Sequence, residues 1–312
     1  MASVTTDPCR RGASERDRIA RLVADFSIEA LPRGVLRRRT DLGILRPGTS
    51  VFLTRIAKKP FRDTLAAAIR VRELGFRPVP HLTARTIRSA HELRDEVAAL
   101  VREAGVDEIL LVAGSQAHPA GAFDGTMDVL RTGIFERAGI KRVGLAGHPE
   151  GHPDVEEARL QSALDQKNDF ARTSELECYL ITQFFFDAAP VIAWERRIRE
   201  LGNALPIRIG LHGLTGTASL LRLAVACGIG ASLDVLTKHV ALARLAFVRT
   251  PEPMLVEFAA AIDADPDTLF RGVHFFPLGD FARTARFANA LALRGPRAFG
   301  VDENVAVGAP SP

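Results

Sequence analysis

Two stretches of the chain, EILLVAG at 108–114 and CYLITQFFF at 178–186, are unusually apolar. Each is a short run of aliphatic, β-branched or aromatic residues with almost no polar interruption. Strands of that composition bury both faces, which is the condition of a parallel sheet covered by helices. Working outward, comparable runs stand at 26–31, 50–55, 77–83, 141–147, 206–213 and 272–279, making eight in all. As far as the seventh run, successive starts lie 24 to 37 residues apart, the length of one strand, one helix and two loops. Eight such βα units predict an α/β fold in which a single sheet closes into a (β/α)8 barrel.

The segments between the runs carry helix signals. Helical periodicity over 61–74, 89–104 and 219–227 stops each time at a glycine, Gly75, Gly105 and Gly228, the residue that best ends a helix. Ser14 and Asp17 have capping-box spacing ahead of Ile19, Leu22 and Val23, which predicts an N-terminal helix that plugs or flanks the barrel bottom. The long gap before the eighth run holds two extra helical stretches, 232–247 and 253–262, an accessory or lid element. The expected organisation is a TIM barrel over 14–300, with flexible ends at 1–13 and 301–312. An open doubly wound sheet would need a glycine-rich phosphate loop after an early strand. The first strand instead runs into EALPRG at 29–34, and neither GxGxxG nor a Walker sequence occurs.

With 312 residues, 47% of them hydrophobic, the chain can bury one large core. Its 41 basic and 37 acidic residues give a formal charge of only +4, and the arginines are scattered. That pattern argues against a nucleic-acid partner while remaining compatible with small anionic ligands. Cys9, Cys178 and Cys227 are odd in number and lack CxxC spacing, so they suggest neither a disulfide framework nor a zinc site, and they fit a reducing compartment. Cys178 and Cys227 lie in apolar runs and read as small buried hydrophobes. No apolar stretch near the N-terminus has the length of a signal core or a membrane span, so a soluble, cytoplasmic protein with no membrane partner is expected.

Barrel enzymes do their chemistry at the C-terminal ends of the strands. The strand positions therefore single out Glu29, Thr54, His81 with Thr83, Ser115 with Gln116, His148 with Glu150, Gln183, His212, and Phe275 with Phe276. Glu29 lies among Phe26, Ile28 and Leu31; apolar surroundings disfavour a carboxylate and raise its pKa toward the range of a general acid. Gln183 sits in ITQFFFD, a run too apolar to leave a primary amide unpaired, so it should bond either a ligand or a neighbouring strand. His148, Glu150 and His152 in GHPEGHPD are of metal-ligand type, but their spacing is not HExxH and two prolines hold the segment extended. A rigid turn that shapes a cofactor pocket is the expectation, with no metal.

These motifs stand in a familiar order. EALP at 29–32, HLT at 81–83, HPEGHPD at 148–154, Lys167, TQFFFD at 182–187 and HFFPLG at 274–279 together resemble the methylenetetrahydrofolate reductases, over roughly residues 24–295. The resemblance implies non-covalent FAD along the strand ends, near Thr54, His81, Thr83, His148, Glu150, His152 and Lys167. It implies NADH or NADPH as co-substrate, in a ping-pong cycle with the folate. Glu29 would be the acid that opens the imidazolidine ring of methylenetetrahydrofolate, and Gln183 would hold the pterin, with Ser115, Gln116 and Phe276 also on the substrate side. It further implies a homo-oligomer acting in one-carbon metabolism, in methionine supply or in oxidation of methyl-folate from demethylation. The chain departs from the family at 113–116, where AGSQ replaces a segment that carries an aspartate in contact with the folate; Gln116 or His118 could supply a substitute hydrogen bond. Two other readings stay open: a flavin-independent reductase of the same substrate, and a folate-binding barrel without turnover.

Overall fold

A computed structural model describes residues 14–55, 59–152, 154–214 and 250–294. Eight strands run parallel and close in sequential order: β1 (Ser27–Ala30), β2 (Ser50–Leu53), β3 (Arg77–Thr83), β4 (Glu108–Val112), β5 (Arg142–Gly147), β6 (Glu177–Thr182), β7 (Ile207–His212) and β8 (Phe270–Phe276). Each of the eight apolar runs overlaps one of them. Most strand ends fall within a few residues of their run, and two differences bear on the site. β6 stops at Thr182, after which only Phe185 bridges to Leu211, so the aromatic end of its run is rim and not strand. β8 begins at Phe270, two residues before its run.

The helices follow their end signals. In α1 (Glu15–Val23) the Ser14 hydroxyl accepts from Asp17 N at 3.3 Å, and the Asp17 carboxylate accepts from Ser14 N at 3.0 Å. Ile19, Leu22 and Val23 are buried, and α1 flanks the outer helical layer. Pro32 opens a short α2 (Pro32–Leu36) that the periodicity did not reveal. α3 (Phe61–Glu73) and α4 (Ala90–Ala104) match the predicted segments; Ser89 caps α4, and Gly105 closes it at φ +58°, in the left-handed region. After the short α5 (Thr126–Leu130) and α6 (Ile134–Ala138) come α7 (Glu157–Thr173) and α8 (Ala188–Glu200). The stretch predicted at 253–262 is α9 (Glu252–Ala264), and α10 (Phe281–Arg294) follows β8. The helices predicted at 219–227 and 232–247, and both expected flexible ends, lie outside the described residues.

Apolar residues fill two spaces. The larger cluster lies between strands and helices; a smaller one, Phe52, Val79, Leu110 and Ile181, fills the barrel interior. Below it Glu108 is shared by Tyr179, whose hydroxyl donates at 2.7 Å, and by Arg142 at 2.5 Å. Gly144 makes this possible, since a Cβ there would stand 2.7 Å from the Tyr179 oxygen. Cys178 is buried and its thiol is pushed up to about 11 by burial, as an inert packing residue should be. Among the described residues no helix is long and apolar enough to cross a membrane.

Candidate active site

The alternation of side chains along a strand turns Ser27 and Glu29 of β1 toward the barrel axis while Ile28 packs outward. Parallel registration of β1 with β2 and β8 then assembles a site around Glu29. Thr54, just past β2, donates its N–H to Ala30 O at 3.2 Å, and its side chain hydrogen-bonds the Glu29 carboxyl. His81 of β3 brings Nε2 to 3.6 Å from Glu29 Oε1, and His274 of β8 brings Nε2 to 4.0 Å from the same oxygen. Phe52 forms the floor, with its ring 5.9 Å from that of His81 and 4.6 Å from that of His274.

This floor determines the protonation states. Burial raises the Glu29 pKa to about 7, against the smaller opposing effect of the Thr54 hydrogen bond. The group is not sealed, for a fifth of its side chain stays exposed at the mouth. Burial lowers His81 to about 3 and His274 well below the ordinary imidazole value. Both rings are therefore neutral near pH 7, and their approach to Glu29 is that of two polar groups to a carboxyl rather than an ion pair. The result is a carboxyl poised between its two forms at neutral pH, beside two imidazole Nε2 atoms that lack a hydrogen bond.

A second cluster occupies the end of β5. His148 and His152 meet edge to face at 5.6 Å across a turn closed by Gly151 N donating to His148 O, with Gly151 at φ +77°. His152 Nδ1 accepts from Asp154 N at 3.1 Å, and Glu150 lies half-buried between the two histidines in sequence. Lys167 of α7 is buried beneath them and donates to Ala146 O at 2.8 Å; burial lowers its pKa to about 8. Burial, then the Lys167 and His152 charges, lower His148 to about 4. Lys167, His148, Trp194 and Arg197 line an open cleft between α7 and α8. Among the described residues no group of three potential ligands could hold a metal ion.

Most of the remaining predicted residues ring the mouth, while Phe275 is buried against Phe26 and Phe287 in the layer between strands and helices. Thr83 is nearly buried, and Gly114, at φ +102°, lets the β4 loop pass so close that a Cβ would stand 2.3 Å from Thr83 Cγ2. Arg85 pins this loop by donating to Gln116 O at 3.0 Å and Asp124 O at 2.9 Å. Ser115 is exposed, whereas Gln116 Oε1 is buried without a hydrogen-bond partner. Phe276 lies between His274 and Phe184, at ring distances of 4.6 and 5.7 Å. Gln183 corrects its expectation: because β6 ends one residue earlier, it is exposed at the rim and not stranded in an apolar run, and its Oε1 accepts from Phe184 N at 3.1 Å. His212 is buried, with Nδ1 3.0 Å from Gly213 O.

Three residues that touch or support Glu29 escaped the sequence reading: His274, Ser27 and Arg208. The signal was present as period two, since Ser27 shares a face with Glu29, Arg208 with His212, and His274 with Phe276.

Comparison with known proteins bears on this geometry. The family model "Methylenetetrahydrofolate reductase" matches residues 57–241. That span takes in His81, Lys167 and Gln183 but leaves Glu29, Thr54 and β8 outside. Methylenetetrahydrofolate reductase 2 of Saccharomyces cerevisiae is 27% identical over 170 residues, 51% of this chain and 27% of that protein. Methylenetetrahydrofolate reductase (NADH) 1 of Arabidopsis thaliana is 24% identical over 145 residues, 43% of this chain and 24% of the relative. The chain thus spans about a quarter of the length of these curated relatives. Among solved structures, a Clostridium thermocellum protein that binds two copies of 5-methyl-5,6,7,8-tetrahydrofolic acid superposes with a TM-score of 0.55 at 12% identity, covering 89% of this chain and 97% of that one. A likeness at that identity speaks for the fold.

Proposed function

Since the chain belongs to the methylenetetrahydrofolate reductase family, we propose that it interconverts 5,10-methylenetetrahydrofolate and 5-methyltetrahydrofolate with NADH or NADPH and bound FAD, Glu29 serving as general acid. The observation that carries the proposal is the Glu29 carboxyl, raised to about 7 at the mouth of a barrel whose neighbouring imidazoles are neutral. A group with a pKa near the working pH is both present as the acid and strong enough to deliver its proton.

The residues fit a flavin. Gln116 Oε1 is a buried acceptor with no hydrogen-bond partner among the described residues, and Gly114 lets the β4 loop lie against Thr83 beside it. Lys167, with one N–H committed to Ala146 O, puts a cation on the wall of an open cleft beside His148, a donor set suited to phosphate. Thr54, His81, Thr83, His148, Glu150, His152 and Lys167 would hold the cofactor, which when bound carries hydride between nicotinamide and folate.

The chain's own part is proton chemistry and positioning. Glu29 donates its proton to the imidazolidine nitrogen that leaves, the ring opens to an iminium, and the carboxylate left behind keeps its Thr54 hydrogen bond. Gln183, exposed at the rim, would orient the pterin with its amide, and the partly exposed Phe276, backed by the buried Phe184, offers an aromatic face against which a flat ring packs. Ser115 and Gln116 would border the same substrate from the β4 loop. A cytoplasmic homo-oligomer in one-carbon metabolism, supplying methyl groups for methionine or oxidising methyl-folate, is the setting we propose.

An absorbance spectrum of the purified protein with added FAD, followed by NADH or NADPH, tests the reading. A flavin spectrum that bleaches supports it. Absence of FAD binding together with nicotinamide-dependent reduction of methylenetetrahydrofolate would favour direct hydride transfer, and binding of folate without turnover in either direction would favour a non-catalytic barrel.

A further inference from the structure

Beneath Glu29 the barrel interior holds a polar column that packing alone does not require. Arg208 of β7 reaches across it: Nη1 donates to Asp25 O at 2.8 Å and to Ser27 Oγ at 3.3 Å, Nη2 lies 3.5 Å from Asp25 Oδ2, and the guanidinium stands 5.9 Å over the Tyr179 ring. Ser27 Oγ is 2.9 Å from His274 Nδ1, and both residues are fully buried. His274 Nε2 has no hydrogen-bond partner and lies 4.0 Å from Glu29 Oε1.

The direction of this column follows from its lower end. A guanidinium has only donors and does not give up its proton in a protein, so Ser27 Oγ must accept from Arg208. The Ser27 hydroxyl hydrogen then has two possible acceptors, His274 Nδ1 at 2.9 Å and Val273 O at 3.5 Å, and the first has good hydrogen-bond length while the second is at the limit. If Ser27 donates to Nδ1, the proton of the neutral ring resides on Nε2, the atom aimed at Glu29. We infer that Arg208, Ser27 and His274 form a one-way donor chain that fixes the Nε2–H tautomer of His274 and turns it on Glu29, strengthening Glu29 as an acid by stabilising the carboxylate it becomes. His274 is a positioning residue here and exchanges no proton itself.

The groups facing Glu29 are Thr54 from β2, His81 from β3 and His274 from β8; those acting on His274 are His81 and Arg208, with Asp25 neutralising Arg208 from below. His81 is neutral as well, and among the described residues no hydrogen bond like that of Ser27 on His274 Nδ1 fixes its ring, so the two imidazoles are not equivalent. The inference deepens the proposed role of Glu29 and rests on it only for its catalytic consequence.

Imidazole ¹⁵N–¹H correlation spectra of the wild-type protein read the tautomer directly, with His274 assigned by the signals lost in His274→Gln. The chain predicts an unprotonated Nδ1 and a protonated Nε2; a protonated Nδ1 would overturn it. Infrared difference titration of the Glu29 carboxyl, identified by its loss in Glu29→Gln, reads the effect. Removing a donor from a carboxylate raises its pKa, so Ser27→Ala and His274→Phe should move the Glu29 titration up by about half to one pH unit. His274→Gln, which keeps an N–H at that place, should move it less. An unmoved titration in both Ser27→Ala and His274→Phe refutes the chain. Neither readout needs folate, so a shifted titration in a protein that does not turn folate over leaves the inference standing and removes the proposed function, while an unmoved titration in an active enzyme does the reverse.

Discussion

Replacing Glu29 by glutamine should make the protein more stable above neutral pH and leave it almost unchanged in acid. Burial raises the carboxyl from 4.5 to about 7, so in the folded state it binds a proton more tightly than in the unfolded chain. Stability is therefore lost as pH rises from 4.5 through about 7, and the loss is complete above that. At about 1.4 kcal/mol per pH unit the full penalty is near 3 kcal/mol, and with a fifth of the side chain exposed we take about 2–3 kcal/mol. His81 has the opposite history: its pKa falls from 6.5 to about 3, so the unfolded chain gains protons that the folded one refuses, and stability falls as pH drops through that range. This acid-side loss is common to both proteins and cancels in their difference. Glutamine keeps the carbonyl that accepts from Thr54 and cannot ionise. Thermal unfolding of both proteins at pH 5 and pH 8 should give a variant about 5 °C more stable than wild type at pH 8 and close to it at pH 5. A difference that does not change with pH, or one that favours wild type at pH 8, would refute the reasoning.

Other consequences follow from single contacts. Lys167→Met removes the buried cation at the α7–α8 cleft and should weaken FAD about tenfold or more, read by quenching of flavin fluorescence; an unchanged Kd would remove Lys167 from the cofactor site. Ser115→Asp places a negative charge in the β4 loop, where it should disfavour anionic reduced flavin and lower the potential measured by dye equilibration; an equal or higher potential contradicts this. Gly210→Ala brings a Cβ to 2.3 Å from Thr182 O, a backbone atom that cannot give way, and should cost about 2 kcal/mol or more in urea unfolding. Gly272→Ala on the neighbouring strand meets nothing nearer than 3.9 Å and should be close to neutral, so equal losses in the two would show that the clash is relieved.

The fold was legible because burial on both faces leaves so few polar residues in a parallel strand that each strand stands out as a run, and because glycine and serine mark the helix ends at Gly105, Ser89 and Ser14. What blurred was the end of β6, where Phe184, Phe185 and Phe186 continue the apolar run past the last ladder residue, Thr182. A buried aromatic loop and a buried strand have the same composition, and only hydrogen-bond geometry separates them. That ambiguity set Gln183 inside an apolar run, with a ligand or a neighbouring strand as its expected partner, where its amide instead accepts from Phe184 N. Glu29 was found because a carboxylate among apolar neighbours is conspicuous. His274 was passed over although HFFPLG was noticed, because its importance comes from Ser27 and Arg208, which lie 247 and 66 residues away in sequence and meet it only once β1, β7 and β8 are adjacent.

In the function proposed above, Glu29 is the acid of a folate half-reaction in this barrel. Its most direct test is the rate at which methylenetetrahydrofolate reoxidises the reduced, FAD-loaded protein, followed anaerobically by the return of flavin absorbance, in wild type and in Glu29→Gln. Reoxidation is expected in the wild type and slowed about 10²-fold or more in the variant, with reduction of the flavin by nicotinamide nearly unchanged. No reoxidation of the wild-type flavin by the folate, or equal reoxidation rates in the two proteins, would contradict it.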